Sequence, residues 1–301
     1  MEMKKCYPYF CGMIMAFVFG LTFLFSKTGL AYMSPMMLLS CRFLIAAVFM
    51  SVLLLCGIIH VDFRSKQVYR VVILSVFYPM ISFLFETIGL QWTSTAQAGI
   101  MVSLMPVFVA FLGVFFLKER QNKKQIFFIV CSVIGVLVTI IFSKQGEDGT
   151  QKGLLLLLCS VIAGSVYNIL SRKNAVIFTP IEITFVMIWL GAAFFTAIFF
   201  WQAMHDSGIT AAYKTVFQEP AAVFSVVYLG VFASVLAFFC MNYMLGKLPA
   251  ANACIFNNMA TVISIFAGIL FLHEKMYWYQ IVGGILIIAG VWGTNYYEGK
   301  G

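Results

Sequence analysis

The chain has 301 residues, of which 62% are hydrophobic, 17% aromatic and only 10% charged, and its formal net charge is +8. Soluble domains carry about 25% charged residues, so the composition excludes a water-soluble enzyme and makes the lipid bilayer the solvent. A basic soluble protein would suggest a nucleic-acid partner, but cytoplasmic loops rich in Lys and Arg explain the charge better here, and no nucleic-acid partner is expected.

Interruptions in the apolar pattern divide the chain into ten predicted membrane spans of roughly 20 residues each. The spans must be helices, because long unbroken apolar runs do not fit the alternating strands of a membrane barrel. They cover Tyr9–Gly29, Pro35–Gly57, Val68–Leu90, Thr95–Leu117, Lys124–Phe142, Lys152–Leu170, Pro180–Met204, Pro220–Leu245, Ala250–Leu272 and Tyr277–Tyr296.

The basic residues predict how the spans are oriented. Alternate loops hold Lys4, Lys5, Arg64, Lys66, Arg70, Lys118, Arg120, Lys123, Lys124, Arg172, Lys173, Lys247 and Lys300. The other loops hold only Lys144, Lys152, Lys214 and Lys275. The bias predicts a multi-pass protein of the cell (cytoplasmic) membrane with both termini in the cytoplasm.

A weak internal repeat joins the two halves of the chain. The stretch from Val76 to Thr139 recurs without a gap from Val231 to Thr294. Its most specific part is Leu117-Lys118-Glu119-Arg120, which returns as Leu272-His273-Glu274-Lys275. Because each half has an odd number of spans, the second half enters the bilayer from the opposite face. We therefore predict an all-α integral membrane protein of ten transmembrane helices, arranged as two inverted five-helix repeats over residues 9–142 and 152–296.

The first three spans carry charges inside the membrane. Lys27 ends the first span, where it either snorkels to the interface or serves a cavity. Arg42 in the second span and Glu86 in the third lie at depths that differ by roughly 5 Å, so an ion pair is geometrically allowed. Three interpretations stay open: a structural pair, an outer gate, or Arg42 binding a substrate carboxylate while Glu86 carries a proton.

Small and polar residues form a stripe along one face of several spans. The third span has Ser75, Pro79, Ser82 and Glu86, and the sixth and ninth spans show similar faces. Such stripes serve either helix packing or a shared polar cavity. The predicted substrate-binding residues are Arg42, Tyr78, Ser82, Glu86, Met101, Tyr167, Asn257 and Thr261. Core packing explains the aromatic and methionine members equally well.

The remaining features suggest mainly structural roles. Pro79 and Pro106 predict either static kinks or flexing points. The glycines of the tenth span predict close packing or a homodimer through the fifth and tenth helices, which we expect at the periphery. Glu182 is placed to cap its helix. Glu119 and Glu274 are placed to accept amide hydrogens from the helix that follows each of them.

No cofactor site is expected. The eight cysteines form no CxxC pair, the three histidines are far apart, and nothing resembles a phosphate-binding loop, so metal, disulfide and ATP roles are not predicted.

Together the motifs resemble the EamA family, the ten-helix branch of the drug/metabolite transporter superfamily. Gly20, Phe23 and Lys27, then Arg42-Phe43, then the Leu117–Arg120 and Leu272–Lys275 turns carry the resemblance. It spans Tyr9 to Thr294, although the second half has Met187 near the place of Arg42 and Lys275 in place of Arg120. The resemblance implies a central cavity lined by the first, third, fourth, sixth, eighth and ninth helices and opened alternately to each side.

The function expected from these features is secondary transport of a small-molecule substrate, amino-acid-like or otherwise amphipathic, with export as the direction. Proton coupling through Glu86 and uncoupled movement both fit the sequence. The alternatives are a receptor or assembly protein that does not transport, and, with less support, an intramembrane enzyme. We do not expect an enzyme, because no catalytic cluster is visible.

Overall fold

A computed structural model describes residues 3–64, 66–117, 123–142, 150–205, 216–248 and 250–297, with the side chains of residues 3–6, 113–117, 250–255 and 295 left out of the description. Throughout these ranges the regular structure is helical. In chain order the helices are α1 (Met3–Leu30), α2 (Pro35–Leu55), α3 (Tyr69–Leu90), α4 (Thr95–Val102, continued by Met105–Leu117), α5 (Lys123–Phe142), α6 (Thr150–Asn174), α7 (Pro180–His205), α8 (Pro220–Leu245), α9 (Ala250–Leu272) and α10 (Trp278–Tyr296).

Most of these helices are long and apolar enough to cross a bilayer. Within the described residues, eight helices meet that standard, and they belong to α1 through α8. The described apolar stretches of α9 and α10 are shorter, at Phe256–Leu272 and Trp278–Thr294. The described chain is therefore an all-helical bundle whose outer surface matches lipid rather than water.

Local sequence signals set several helix ends. Ser34 accepts a hydrogen bond from the Met37 amide at the start of α2, and Pro35 occupies the first helical position. At the other end Gly57 takes a left-handed φ of 70°, and the amides of Gly57 and Ile58 bond back to Leu54 and Leu53. This Schellman arrangement satisfies the final carbonyls and needs a residue without a Cβ.

Three helices are interrupted inside the bundle. Residues Val76–Ile81 of α3 and Tyr228–Leu236 of α8 form π-helical segments. In α3, Tyr78 leaves helical geometry with φ −147° and ψ 113°, next to Pro79. In α4 the break at Ser103 and Leu104 precedes Pro106. Both prolines predicted to disturb their helices thus lie at interruptions, where their missing amide donors cost least.

The bundle packs in a pattern of paired helices. Helix α1 packs on α8 and α9, α6 packs on α3 and α4, and α2 packs on α7. Helices α5 and α10 pack mainly on each other, which agrees with their expected peripheral place. The main core holds the rings of Phe43, Phe83, Phe195 and Phe238, which contact one another at centroid distances of 5.4 to 6.4 Å.

The glycines of α5 and α10 are used within the chain. A methyl group built on Gly135 would lie 2.7 Å from the Gly283 carbonyl oxygen, and one on Gly290 would lie 2.6 Å from the Phe128 carbonyl oxygen. The backbones therefore approach too closely for any larger residue. These contacts account for the glycine pattern through intramolecular packing, and the homodimer through the same helices stays a prediction.

Candidate functional site

A cavity of about 400 Å³ runs through the bundle between six helices. Its lining comes from α1, α3, α4, α6, α8 and α9, which is the set that the family resemblance implied. It extends from Glu86, near the end of α3, to Arg172 and Lys173, which are exposed at the end of α6. The residues Thr95 to Gln97, beyond the Glu86 end, are buried. The cavity therefore reaches exposed residues at the Arg172 end of α6, which we call the accessible end, and buried residues lie beyond Glu86 at the other, which we call the closed end.

Most of the predicted site residues lie on this cavity. The lining includes Tyr78, Ser82, Glu86, Tyr167, Asn257 and Thr261. On α3, Ser82 and Glu86 are four residues apart and share one helical face, whereas Tyr78 lines the cavity from the irregular segment before them. The hydroxyl of Ser82 lies 3.0 Å from the hydroxyl of Ser160 on α6 and 3.1 Å from the Ser160 carbonyl oxygen. The polar stripes of α3 and α6 therefore meet each other and also border the cavity.

Two predicted site residues do not line the cavity. Met101 is fully buried in a cluster with Leu90 and Leu104, since its face of α4 points into the core. Arg42 is 1% exposed, its Nε donates to the Ser234 hydroxyl at 2.8 Å, and its guanidinium lies 4.2 Å from the centre of the Phe83 ring. Because Phe83 lines the cavity and Arg42 does not, the ring separates this charge from the cavity.

The ion pair considered for Arg42 and Glu86 is not formed in this conformation. Within the described part of the chain the ion pair under 4 Å is Lys66–Glu182. Arg42 and Glu86 are close enough to interact electrostatically, but the guanidinium is turned toward α8 and one of its terminal nitrogens has no hydrogen-bond acceptor. Similar depth in the membrane did not bring the two groups together, because Arg42 turns toward Ser234 rather than Glu86.

A buried polar network joins α6, α7 and α8 beside the cavity. The Tyr167 hydroxyl donates to Asn242 Oδ1 at 2.5 Å, and the Ser171 hydroxyl donates to the same oxygen at 3.0 Å. The Asn242 amide nitrogen donates in turn to Thr184 at 3.0 Å. This network fixes the Tyr167 ring, which stacks on Tyr78 with the centroids 4.8 Å apart. Polar atoms buried in this way are stabilising only while every partner is present.

Lys27 and Glu274 hold the connection between α3 and α4 at the closed end. Lys27 Nζ donates to the carbonyl oxygens of Leu90, at 3.0 Å, and Thr93. This contact stabilises the carboxyl end of α3. Thr93 itself is 3% exposed, whereas Gln91 and Trp92 just before it are exposed.

Glu274 completes the amino end of α4. Its carboxylate accepts the Thr95 amide at 2.9 Å, the Thr95 hydroxyl at 2.7 Å and the Ala96 amide at 3.3 Å. The sequence predicted a capping role toward the following helix α10, and that assignment was wrong because the amide and hydroxyl groups that donate to Glu274 lie on α4 in the first half of the chain. The corresponding expectation for Glu119 lies outside the described residues.

A second charged contact lies at the start of α7, which follows the Arg172 end of α6 in the chain. Glu182 accepts hydrogen bonds from Lys66 at 2.7 Å, from the Thr179 amide at 3.0 Å and from the Asp62 amide at 3.3 Å. Thr179 accepts the Glu182 amide, so the two residues form a capping box at the start of α7. The capping role predicted for Glu182 is therefore present, and it also ties the α2–α3 loop to α7.

Sequence reasoning missed several residues of this region. Asn242, Thr184 and Thr22 were not singled out, although a mid-span amide such as Asn242 is itself a signal for a buried partner. Thr22 lines the cavity, and Asn242 accepts the hydrogen bond of the Tyr167 hydroxyl. Among the described residues, no cluster of three or more histidine, cysteine or acidic side chains could hold a metal ion.

Comparison with known proteins places the chain in a family. The sequence matches the EamA-like transporter family over residues 7–141 and again over residues 151–296. The "Uncharacterized transporter YcxC" of Bacillus subtilis strain 168 is 34% identical over 291 residues, covering 95% of this chain and 92% of that protein.

Two more distant likenesses extend the comparison. The "Probable amino-acid metabolite efflux pump" of Escherichia coli K12 is 24% identical, covering 93% of this chain and 92% of that protein. A solved structure named "Crystal structure of protein" matches with a TM-score of 0.65 at 16% identity, covering 97% of both chains, and that likeness concerns the fold alone. With the family match over most of the sequence and a relative above 30% identity, this multi-pass membrane protein belongs to the EamA-like transporter family.

Proposed function

We propose that the protein is a secondary transporter of the cytoplasmic membrane that moves a small amphipathic metabolite by alternating access, with export as its direction. The observation that carries the proposal is the cavity of about 400 Å³, accessible at the Arg172 end and closed at the Thr95 end. A chamber of this size suits a small solute. Since Arg172 and Lys173 are predicted to be cytoplasmic, the accessible end faces the cytoplasm.

The proposal includes two inverted repeats, residues 9–142 and 152–296, with ten membrane helices in all. Equivalent close contacts recur with the halves exchanged, as a two-fold axis requires. The close approach of Gly135 to Gly283 is matched by that of Gly290 to Phe128. In the repeat, Gly290 is the counterpart of Gly135 and Gly283 is the counterpart of Phe128, each 155 residues later. The π-helical segments also correspond, since Val76–Ile81 maps by the same spacing onto the end of Tyr228–Leu236.

A second exchanged contact involves helices that line the cavity. A methyl group on Gly20 of α1 would lie 2.9 Å from the Ala260 carbonyl oxygen on α9. One on Gly164 of α6 would lie 2.8 Å from Met105 Cε on α4, and Met105 precedes Ala260 by the repeat spacing of 155 residues. Inverted halves with matching contacts give one scaffold two related conformations, each opening the chamber to one side.

The substrate class rests on the lining and on the relatives. The lining combines rings and methionines with the carboxyl group of Glu86, which suits an amphipathic solute. The Escherichia coli and Salmonella typhimurium relatives are both named "Probable amino-acid metabolite efflux pump", which supports export of an amino-acid-like compound. Glu86 is the proposed proton carrier if movement is coupled to protons.

Two measurements test the function. Untargeted metabolite profiling of cells with and without the protein selects a solute, and flux of that solute is then measured in reconstituted vesicles at two pH values. We expect protein-dependent flux, with a pH dependence that disappears in Glu86→Gln and persists in Glu219→Gln, an exposed carboxyl outside the cavity. Unchanged pH dependence in Glu86→Gln removes the proton role, and specific binding without any flux favours a receptor instead.

A further inference from the structure

Glu86 is an acidic side chain on the cavity wall that is not directly bonded to a neighbour, although Arg42 is close enough to interact with it electrostatically. It is partly exposed to the cavity, and neither a hydrogen bond nor an ion pair of its side chain occurs among the described residues. An ionised carboxylate in a membrane interior costs several kcal/mol unless it is paired or hydrogen-bonded. A carboxylate kept in such a place without a partner from the chain is suited to a partner from outside it.

The walls around the same cavity are rich in aromatic rings. The lining includes Phe19, Phe23, Tyr78, Phe83 and Tyr167. Tyr78 stacks on Tyr167 with centroids 4.8 Å apart and meets Phe83 edge-on at 4.9 Å. Ring faces attract cations and bury apolar groups, and they offer nothing comparable to an anion.

The basic side chains that could compete for Glu86 are bonded to other groups or lie at the far end of the cavity. Lys27 also lies at the closed end, but its Nζ donates to the carbonyl oxygens of Leu90 and Thr93, and it does not line the cavity. Arg42 lies behind Phe83 and bonds Ser234, so it does not present its charge to the cavity. Arg172 and Lys173 lie at the exposed end of α6. The cavity therefore offers a solute one carboxylate at its closed end and ring faces along its wall.

The distance to the basic end follows from helix geometry. Contacts at Ser82–Ser160 and Gly89–Gly153 show that α3 and α6 run antiparallel. Glu86 lies four residues beyond Ser82 in one direction, and Arg172 lies twelve beyond Ser160 in the other. At 1.5 Å per residue the two charges are separated by roughly 24 Å along the bundle. One small metabolite cannot contact both, so a carboxylate on the solute gains nothing from the basic end while its amine contacts Glu86.

We infer that the closed end of the cavity is a binding site for organic amines, in which the protonated ammonium group pairs with Glu86 and an apolar or aromatic body packs on the rings. The inference rests on the transport function proposed above and names the part of the solute that the site recognises. The site prefers a cationic amine over a neutral or anionic compound with the same body. An amino acid binds through its ammonium group, and removal of its carboxylate strengthens binding.

The test measures the binding of three probes that share a benzyl group and are cationic, neutral and anionic. Phenethylamine, 2-phenylethanol and phenylacetate are titrated by calorimetry into the full-length protein in lipid nanodiscs. We expect phenethylamine to bind at least about tenfold more tightly than the other two, which corresponds to about 1.4 kcal/mol. Phenylacetate binding as tightly as the amine, or no amine binding at millimolar concentration, overturns the inference.

Variants separate the carboxylate from general effects. Glu86→Gln is expected to lower amine affinity about tenfold or more, while Glu219→Gln leaves it unchanged. The probe comparison in the unaltered protein decides the question even where Glu86→Gln fails to fold. Amine binding without flux in vesicles refutes transport and retains the site, whereas protein-dependent flux of a metabolite without amine binding refutes the site and retains transport.

Discussion

Replacing Glu274 with alanine is expected to loosen the closed end of the cavity. The first four amides of a helix have no partner within the helix. In α4 the Ser94 amide bonds to Gln97 Oε1 and the Gln97 amide bonds to Ser94 Oγ, as a capping box. The other two amides, of Thr95 and Ala96, both bond to the Glu274 carboxylate. The substitution therefore leaves two buried amides and the Thr95 hydroxyl without that acceptor.

The size of the effect follows from these contacts. A hydrogen bond to a charged group contributes about 1.5–3 kcal/mol, and the three contacts share one carboxylate, so their loss is less than additive. We expect a cost of about 2 kcal/mol for opening this region, which is a roughly 30-fold change in the opening equilibrium.

Hydrogen–deuterium exchange of the peptide covering residues 94–101 in nanodiscs measures that opening. We expect exchange at Thr95 and Ala96 to accelerate roughly 30-fold in Glu274→Ala and by less in Glu274→Gln, which keeps one acceptor oxygen. Lys275→Ala is the matched control, because this neighbour is exposed and has no hydrogen bond or ion pair with the described residues of α4, so its loss should change nothing. Equal protection in Glu274→Ala and the unaltered protein would refute the capping argument.

Two further substitutions test the packing and the polar network. Gly135→Ala places a methyl group 2.7 Å from the Gly283 carbonyl oxygen and should lower the free energy of unfolding by about 1–3 kcal/mol. Gly284→Ala is the control and should be neutral or stabilising, because the nearest atom to its methyl group lies at 3.4 Å. Equal stability of the two variants in detergent unfolding would contradict the close approach. Asn242→Leu removes the acceptor of the Tyr167 hydroxyl and should lower the free energy of unfolding by about 2 kcal/mol or more, while Tyr167→Phe should lower it by less. The reverse order in the same assay would show that Asn242 is not the centre of the network.

The helix pattern could be predicted from the sequence because lipid imposes it. Long apolar runs located the helices closely, and the structure shifts some ends, extending α6 from Leu170 to Asn174. The π-helical segments were not predicted, since Tyr228–Leu236 contains no proline to mark its irregular backbone. Periodicity also placed Ser82 and Glu86 on one face, and both residues border the cavity.

Side-chain partners were harder to predict because they depend on rotation about the helix axis. Depth alone allowed an Arg42–Glu86 pair, but the observed partner of Arg42 is Ser234, 192 residues away in sequence. Glu274 is placed to cap a neighbour in sequence, yet it bonds Thr95, 179 residues earlier. Such contacts depend on how the two halves pack together, which local spacing does not contain.

Sidedness of two equivalent loops tests the inverted arrangement most directly. Lys123 begins α5 and Lys275 lies three residues before the start of α10, so each marks the amino end of the last helix in its half. In a chain whose eight native cysteines are replaced by serine, single cysteines at these positions are labelled with a membrane-impermeant maleimide in intact and permeabilised cells. The account predicts labelling of Lys275→Cys in intact cells and of Lys123→Cys only after permeabilisation, and labelling of both from the same side would contradict it.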